Sequence, residues 1–237
     1  MTKYNNIVVL TGAGISAESG IRTFRDSNGL WENHRVEEVA SPEGFAANPE
    51  MVLEFYNQRR RQLLSGEVRE NAAHVALGRF EEEFGGEFLL ITQNVDDLHE
   101  RGGSKNCLHM HGELLKKRCT NCGAVSEERD EISLATQCGS CQVAGTLRPH
   151  IVWFGEMPFD MERIEVALSD CDLFVSIGTS GNVYPAAGFV QQANQHGAET
   201  VTLNLEAGEN QGAFQRAEYG RATGLVPAFF DGLLNAS

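Results

Sequence analysis

An apolar run, Ile7-Val8-Val9-Leu10, passes without a break into Thr11-Gly12-Ala13-Gly14-Ile15-Ser16-Ala17-Glu18. Gly12, Gly14 and Ala17 stand at the GxGxxA spacing, so a strand ends in a loop whose backbone can approach a pyrophosphate closely. A dinucleotide is the first ligand this points to. A tight turn also requires glycines for steric reasons alone, which leaves a ligand-free turn open. The next residues are odd for a dehydrogenase. In place of a helix, a second strand and a ribose-binding acid stand Gly20-Ile21-Arg22-Thr23-Phe24-Arg25 and then Gly29-Leu30-Trp31. The break predicts that the dinucleotide is handled differently.

Short apolar runs recur at 88–92, 173–177 and 200–205, bounded by Gly, Asn or Asp and separated by helix-like segments. That alternation predicts an α/β domain with a parallel sheet. Helices are expected at 49–64, 72–84, 160–168, 186–195 and 226–234, with Asn48-Pro49 reading as a cap followed by a first-turn proline. The polar stretch 118–148 interrupts the rhythm and reads as an inserted small module.

With 237 residues, 41% of them hydrophobic, the chain can bury one sizeable core with a smaller one attached. A formal net charge of -14 argues against a general nucleic-acid binder and against adhesion to an anionic membrane, and favours cationic partners such as lysine-bearing proteins. Arginine outnumbers lysine, which with the acid excess hints at a salt-adapted source, although an ordinary cytosolic protein is the preferred reading. No apolar run reaches the length of a membrane span and no signal-peptide pattern opens the chain, so a cytoplasmic location is expected.

Cys119-x-x-Cys122 and Cys138-x-x-Cys141 are separated by fifteen residues, the spacing by which two knuckles close a tetrahedral zinc site. Four thiolates leave no position for water or substrate, so one structural Zn2+ is expected, with Gly123 and Gly139 permitting the tight turns. A DNA-binding zinc ribbon is the rival, disfavoured because the module is not basic. Cys107 and Cys171, each at the edge of an apolar segment, read as buried free thiols.

Thr92-Gln93-Asn94-Val95-Asp96 ends a strand in polar side chains where an open parallel sheet places its ligand crevice. Gln93, Asn94 and Asp96 can hold an amide, a ribose or a carbonyl; a helix cap without a ligand is the alternative. In His109-Met110-His111-Gly112, alternation sends both imidazoles to one side if the segment is extended, and one of them can serve as a general base. His34, His74, His99, His150 and His196 read as structural. Gly178-Thr179-Ser180 and Asn204-Leu205-Glu206 close two further strands with groups suited to phosphates and a ribose diol, or with ordinary turns.

Taken together, GAGIS at Gly12 to Ser16, Phe24-Arg25, TQNVD at Thr92 to Asp96, His111-Gly112, both cysteine pairs, Phe154-Gly155-Glu156, Gly178 to Ser180 and Asn204 to Glu206 resemble a sirtuin, an NAD-dependent protein lysine deacylase. The resemblance spans nearly the whole chain. It implies a single catalytic domain over 1–237: a Rossmann-like, NAD-binding part at about 1–40, 71–113 and 150–237, and a smaller part made of a helical segment, 41–70, and a zinc-ribbon module, 114–149. It implies that NAD is consumed. The acyl oxygen attacks the ribose as nicotinamide leaves, and His111 takes a proton from a ribose hydroxyl, which then attacks the alkylimidate carbon. Products would be free lysine, nicotinamide and 2'-O-acyl-ADP-ribose. Asn94 and Asp96 are matched to nicotinamide and ribose, residues 12–18, 93–96, 178–180 and 204–206 to the cofactor, and Thr23, Phe24, Arg25 and Trp31 to a covering loop. Ala222 falls on the adenine side. Val152 and Phe154-Gly155-Glu156 would pair with the substrate backbone by strand addition.

Tyr56 and Arg59, three apart on the helix expected at 49–64, share a face and can converge on a carboxylate through the guanidinium fork and the phenol. Arg60 and Arg61 read as a solvated basic face. Tyr56 and Arg59 resemble the class III sirtuin signature, and small Ala40 precedes Tyr56 by sixteen residues. Succinyl-, malonyl- or glutaryl-lysine proteins are the expected substrates, with some deacetylation, and a monomer is favoured. A protein ADP-ribosyltransferase of the same fold and a non-catalytic NAD-sensing module are the alternatives.

Overall fold

The computed structural model of the protein describes residues 3–21, 30–31 and 34–235. β1 (Asn6–Thr11) is followed by two single 3-10 turns where a dinucleotide fold would start a helix. A short hairpin of β2 (Leu30–Trp31) and β3 (His34–Arg35) comes next. The helices α1 (Val36–Val39) and α2 (Pro42–Ala47) lead into α3 (Pro49–Leu64). Asn48 Oδ1 accepts from the Met51 N–H at 3.2 Å ahead of Pro49, the cap that the Asn-Pro pair predicts. α4 (Ala72–Glu83) precedes β4 (Glu87–Thr92), the one-turn α5 (Leu98–Arg101) and β5 (Cys107–His109). An antiparallel unit of β6 (Gly112–Cys119), β7 (Val125–Glu127) and β8 (Leu147–Ile151) interrupts the alternation. The chain then returns to it with α6 (Met161–Asp170), β9 (Leu173–Ile177), α7 (Phe189–Gln195), β10 (Glu199–Asn204), β11 (Arg216–Tyr219) and α8 (Ala222–Asn235).

Six strands form one parallel sheet in the order β11-β10-β9-β1-β4-β5. The chain builds outward from β1 to one edge and then returns to build from β9 to the other, so the order reverses between β1 and β9. That switch point is where an open α/β sheet presents its crevice. Alternation along β1 explains why its run is apolar throughout. Ile7 and Val9 pack under α4 and α8 with Leu77, Phe80, Val226 and Phe230, while Val8 and Leu10 face α6 and α7 with Ile164, Leu168, Phe189 and Val190. A strand covered on both faces needs such a run, and each large side chain so buried contributes about 1.5–3 kcal/mol. The fold is the expected one, an α/β parallel sheet with a smaller unit of helices and cysteine knuckles. Within the parallel sheet the edge strands β5 and β11 escape the sequence patterns, being short and, in β11, polar.

α3 packs Val52, Phe55, Tyr56 and Leu63 against Leu114, Leu115, Ile151 and Trp153 of the antiparallel unit. Here one expectation is overturned. Arg60 is not on a solvated face but is 1% exposed, with its Nη1 donating to Asn57 Oδ1 at 2.9 Å and to the Asp130 carbonyl at 3.1 Å, and its Nε to the Leu114 carbonyl at 3.3 Å. Asn57 in turn exchanges two 2.9 Å bonds with the backbone of Ile132. A buried guanidinium is costly unless its donors are engaged; here Nη1 and Nε tie the cysteine-bearing loop to the helix, while Nη2 is buried without a partner among the described residues. Arg61 is the exposed neighbour, paired with Glu54 and Glu131. Among the described residues no helix is long and apolar enough to cross a membrane.

Candidate active site and zinc centre

At the switch point the glycine loop lies directly on the loop that follows β9. Gly12 N–H donates to the Ile177 carbonyl at 3.0 Å and Gly14 N–H to the Gly178 carbonyl at 2.9 Å. A Cβ on Gly14 would stand 2.7 Å from the Gly178 Cα, and one on Gly178, at φ +64, would stand 2.4 Å from the Ile15 nitrogen. Both glycines are required by this contact of backbone on backbone. Ile15 sends its side chain into the core, Ala13 is half-buried and Ala17 is exposed. Glu18 accepts from the N–H and the hydroxyl of Thr223, both at 3.0 Å. The carboxylate therefore caps the first turn of α8 and fixes the loop beside Ala222.

Ser16 joins this loop to the end of β4. Asn94 Nδ2 donates to Ser16 Oγ and to the Gly12 carbonyl, each at 3.2 Å, and Ser16 Oγ donates to Asp96 Oδ2 at 3.2 Å. Asp96 Oδ1 accepts from the Leu98 N–H at 3.1 Å, capping α5. The cap and the site thus use the same carboxylate. Burial, partly offset by these two bonds, pushes the Asp96 carboxyl up to about 6. Val95 uses its carbonyl to receive the Leu114 N–H at 2.8 Å, and Gln93 N–H donates to the Thr11 carbonyl at 2.9 Å. Beneath them lie His74, its Nε2 3.4 Å from Ser16 Oγ, and His99, its Nε2 2.9 Å from Thr11 Oγ1. Both are fully buried, and burial lowers His74 to about 4.

β5 ends at His109, so Met110-His111 is a turn, and the condition of an extended segment is not met. Both rings nevertheless reach the same stretch of backbone. His111 Nδ1 lies 3.1 Å from the Gln93 carbonyl, and His109 Nδ1 lies 3.3 Å from the Asn94 carbonyl. A carbonyl only accepts, so neutral His111 carries its proton on Nδ1 and its lone pair on Nε2. Burial holds the His111 ring below the ordinary imidazole range. His109 is held above it, since the Glu100 carboxylate at 2.8 Å outweighs the burial that works against the charge.

Around the ends of β9 and β10, Thr179 Oγ1 is 2.8 Å from Ser176 Oγ, Ser180 bonds Asn182, and Asn204 Nδ2 donates to the Thr179 carbonyl at 3.2 Å. Leu205 and Glu206 are exposed beyond them. On the other side, Val152 N–H donates to the His111 carbonyl and Phe154 N–H to the Ala40 carbonyl, both at 2.9 Å. Glu156 turns inward, its carboxylate held by Arg148 at 2.7 Å, Arg118 at 2.8 Å and the Trp153 N–H at 2.8 Å. It fastens the segment in place, while Phe154 stands half-exposed and Gly155, at φ +87, turns the chain. Tyr56 is 1% exposed and its hydroxyl accepts from Trp153 Nε1 at 2.9 Å. The Arg59 guanidinium lies over the Phe55 ring at 4.5 Å, close enough for its charge to act on the Tyr56 hydroxyl.

The four cysteines converge. Cys119 and Cys141 sulfurs are 3.7 Å apart, those of Cys122 and Cys138 are 3.8 Å apart, and all four lie within 4.8 Å of one another. Tetrahedral zinc with Zn–S bonds of about 2.3 Å requires sulfurs about 3.8 Å apart. The set fits one structural zinc ion. The knuckles are built alike, with Gly123 N–H on the Cys119 carbonyl and Gln142 N–H on the Cys138 carbonyl, each at 2.9 Å. The left-handed residue follows the second cysteine in each, at φ 74 for Gly123 and φ 61 for Gln142. Gly139 is therefore not the residue that makes the second turn possible.

Thr23, Phe24 and Arg25 lie outside the described residues, as does the side chain of Trp31, whose backbone forms β2. Sequence reasoning missed the part played by Ser16 in joining two loops, misread Arg60 as solvated and left the Glu100–His109 pair unremarked, because each acquires its partner only through the fold. Cys171 is buried as expected, but Cys107 is only half-buried and stands beside Glu100 and His109.

The model of the Sir2 family matches residues 12–185. A protein of Pasteurella multocida named NAD-dependent protein deacylase is 60% identical over 229 residues, covering 97% of this chain and 98% of that protein. A Leishmania major protein named NAD-dependent protein deacylase SIR2rp3 is 59% identical over 234 residues, covering 98% and 96%. Among solved structures, a Sir2 homolog–NAD complex superposes with a TM-score of 0.89 at 36% identity, covering 99% of this chain and 91% of that one. With a match over most of its length to the family and to relatives at this identity, the chain belongs to the Sir2 family.

Proposed function

We propose that the protein is an NAD-dependent protein lysine deacylase that prefers succinyl, malonyl or glutaryl groups on lysine and also removes acetyl. The observation that carries the reading is the His111 ring, oriented by the Gln93 carbonyl so that Nε2 is the base, beside the Asn94–Ser16–Asp96 network at the switch point of the sheet. The names of the relatives, NAD-dependent protein deacylases, support it, as does the binding of NAD stated for the Sir2 homolog.

When bound, NAD supplies an electrophilic ribose carbon and nicotinamide as a leaving group. Residues 12–18, Gly178 to Ser180, Asn204 to Glu206 and Ala222 would hold it, with Thr23, Phe24, Arg25 and Trp31 closing over the sugar. A carboxyl as deeply buried as Asp96 is costly unless a ligand uses it, which favours a polar guest here. Asn94 and Asp96 orient the carboxamide and ribose, and the packed loops exclude water from the reacting bond. His111 Nε2 would take the proton of a ribose hydroxyl as a general base, and with one water consumed as the acyl–lysine C–N bond breaks, the products would be free lysine, nicotinamide and 2'-O-acyl-ADP-ribose. The acyl-lysine would lie between Val152 to Glu156 and α3, near Ala40, with its distal carboxylate at Tyr56 and Arg59. The same reading assigns residues 41–70 and 114–149 to a small part that frames the substrate and the remainder to the NAD part.

Turnover of succinyl- and acetyl-peptides, read by product mass, tests both levels of the proposal. Arg59→Met is expected to reduce desuccinylation far more than deacetylation; equal loss on both would remove the carboxylate clamp. His111→Tyr is expected to abolish acyl transfer while the fold and zinc content persist, and continued turnover would reassign the base.

A further inference from the structure

The Glu100, Cys107 and His109 side chains form a second donor cluster, separate from the four cysteines. Cys107 and His109 are two apart on edge strand β5, opposite Leu90 and Thr92 of β4, so the pleat sends both side chains to one face. Glu100 reaches them from α5, the short helix before the strand. Its Oε1 is 2.8 Å from His109 Nε2, and the thiol, imidazole and carboxylate atoms all lie within 4.8 Å of one another. The three border a cavity of about 550 Å³ that Glu113, His150 and Asp160 also line.

We infer that Glu100, Cys107 and His109 form a second metal site, for one borderline or soft divalent transition ion such as Zn2+ or Co2+, with a fourth position open to the cavity. The donor set decides the ion. A thiolate with an imidazole selects zinc-like ions over Mg2+ and Ca2+, which take oxygen ligands. Bonds of about 2.0–2.1 Å to nitrogen and oxygen in tetrahedral geometry put those two atoms about 3.3 Å apart, so the part-exposed Glu100 must withdraw by about half an ångström. Binding exchanges the Cys107 S–H bond for an S–metal bond and displaces the proton that His109 Nε2 shares with Glu100, and both protons pass to solvent. The site then carries thiolate, carboxylate and a neutral imidazole against two positive charges. Burial first, and then Glu100, Asp96, Glu113 and Glu81, push the Cys107 thiol up, so it gives up its proton only to the arriving ion, which the same carboxylates attract. His109 is already oriented as a ligand requires, since its Nδ1 faces the Asn94 carbonyl and its Nε2 faces the cluster.

The ion would also be linked to the catalytic loop, because the ring it binds holds the Asn94 carbonyl. This consequence alone rests on the deacylase reading; the metal site does not. The test uses the zinc-loaded full chain, titrated with Co2+ while zinc and cobalt are both counted by atomic emission. Wild type is expected to keep its zinc and take up one further equivalent of cobalt, with a thiolate-to-cobalt charge-transfer band. Cys107→Ser is expected to lose that band and weaken cobalt binding by more than about tenfold, the least that loss of even an outer-shell partner costs. Cys171→Ser is expected to behave as wild type. No second equivalent in wild type, or undiminished cobalt binding by Cys107→Ser, would overturn the site, whereas loss of succinyl-peptide turnover in His111→Tyr bears only on the deacylase reading.

Discussion

His111 gives its Nδ1 proton to the Gln93 carbonyl at 3.1 Å, which leaves Nε2 as its only basic atom. Burial lowers the pKa of the ring, so the neutral, proton-accepting form persists to lower pH than for an exposed imidazole. Single-turnover deacetylation is expected to rise with pH through a midpoint below about 6.5, the ordinary imidazole value. A midpoint above that value would contradict the assignment of His111 as a buried base.

The buried Asp96 carboxyl titrates near 6 in the folded chain against 3.8 for the free group. A raised carboxyl costs stability above its folded pKa, and the cost fades as pH falls from 6 toward 3.8. Asp96→Asn keeps an acceptor for the Leu98 N–H and a donor for Ser16, so it is expected to stabilise the fold by about 1–3 kcal/mol at pH 8 while abolishing turnover. Urea unfolding of both proteins at pH 8 and pH 4 checks this: the advantage should shrink strongly at the lower pH. Comparing the two proteins cancels the acid sensitivity of His74, whose lowered pKa removes stability from both between 6.5 and about 4.

Gln142 occupies a left-handed conformation that its counterpart Gly123 adopts freely. A side chain there costs about 1–2 kcal/mol, offset in part by the greater entropy that glycine loses on folding. Gln142→Gly is expected to raise the melting temperature slightly with zinc content unchanged. A lower melting temperature would mean that the Gln142 side chain, which bonds the Gly139 carbonyl at 2.8 Å, matters more than its backbone strain.

Arg60 and Arg61 are adjacent in sequence and opposite in consequence. Arg60→Met strands the carbonyls of Leu114 and Asp130, and chemical denaturation is expected to show a loss of about 2–4 kcal/mol. Arg61→Met removes exposed ion pairs and should stay within about 0.5 kcal/mol of wild type.

Much of the architecture was legible because it is written in periods. Runs such as Ile7 to Leu10 must lie in a doubly covered strand, and two cysteine pairs fifteen residues apart must meet around an ion. What stayed hidden was partnership across space. Arg60 looks like its neighbour until α3 docks on the loop at 128–132. Ser16 is one hydroxyl in a loop until β4 brings Asn94 and Asp96 to it. Cys107 reads as a core thiol until α5 sets Glu100 beside it. The strands β5 and β11 lack a pattern because edge strands need little apolar surface, and the conformation of Gln142 is set by a knuckle whose form any residue type can be compelled to adopt.

The contact of Gly12 and Gly14 with Gly178 also has a genetic meaning. In most cores a bulky lesion can be cured by trimming its neighbour, but these loops meet through main chain, where there is nothing left to trim. Lesions at the three positions should therefore yield no compensating partner within the contact. The two loops are inherited as one unit.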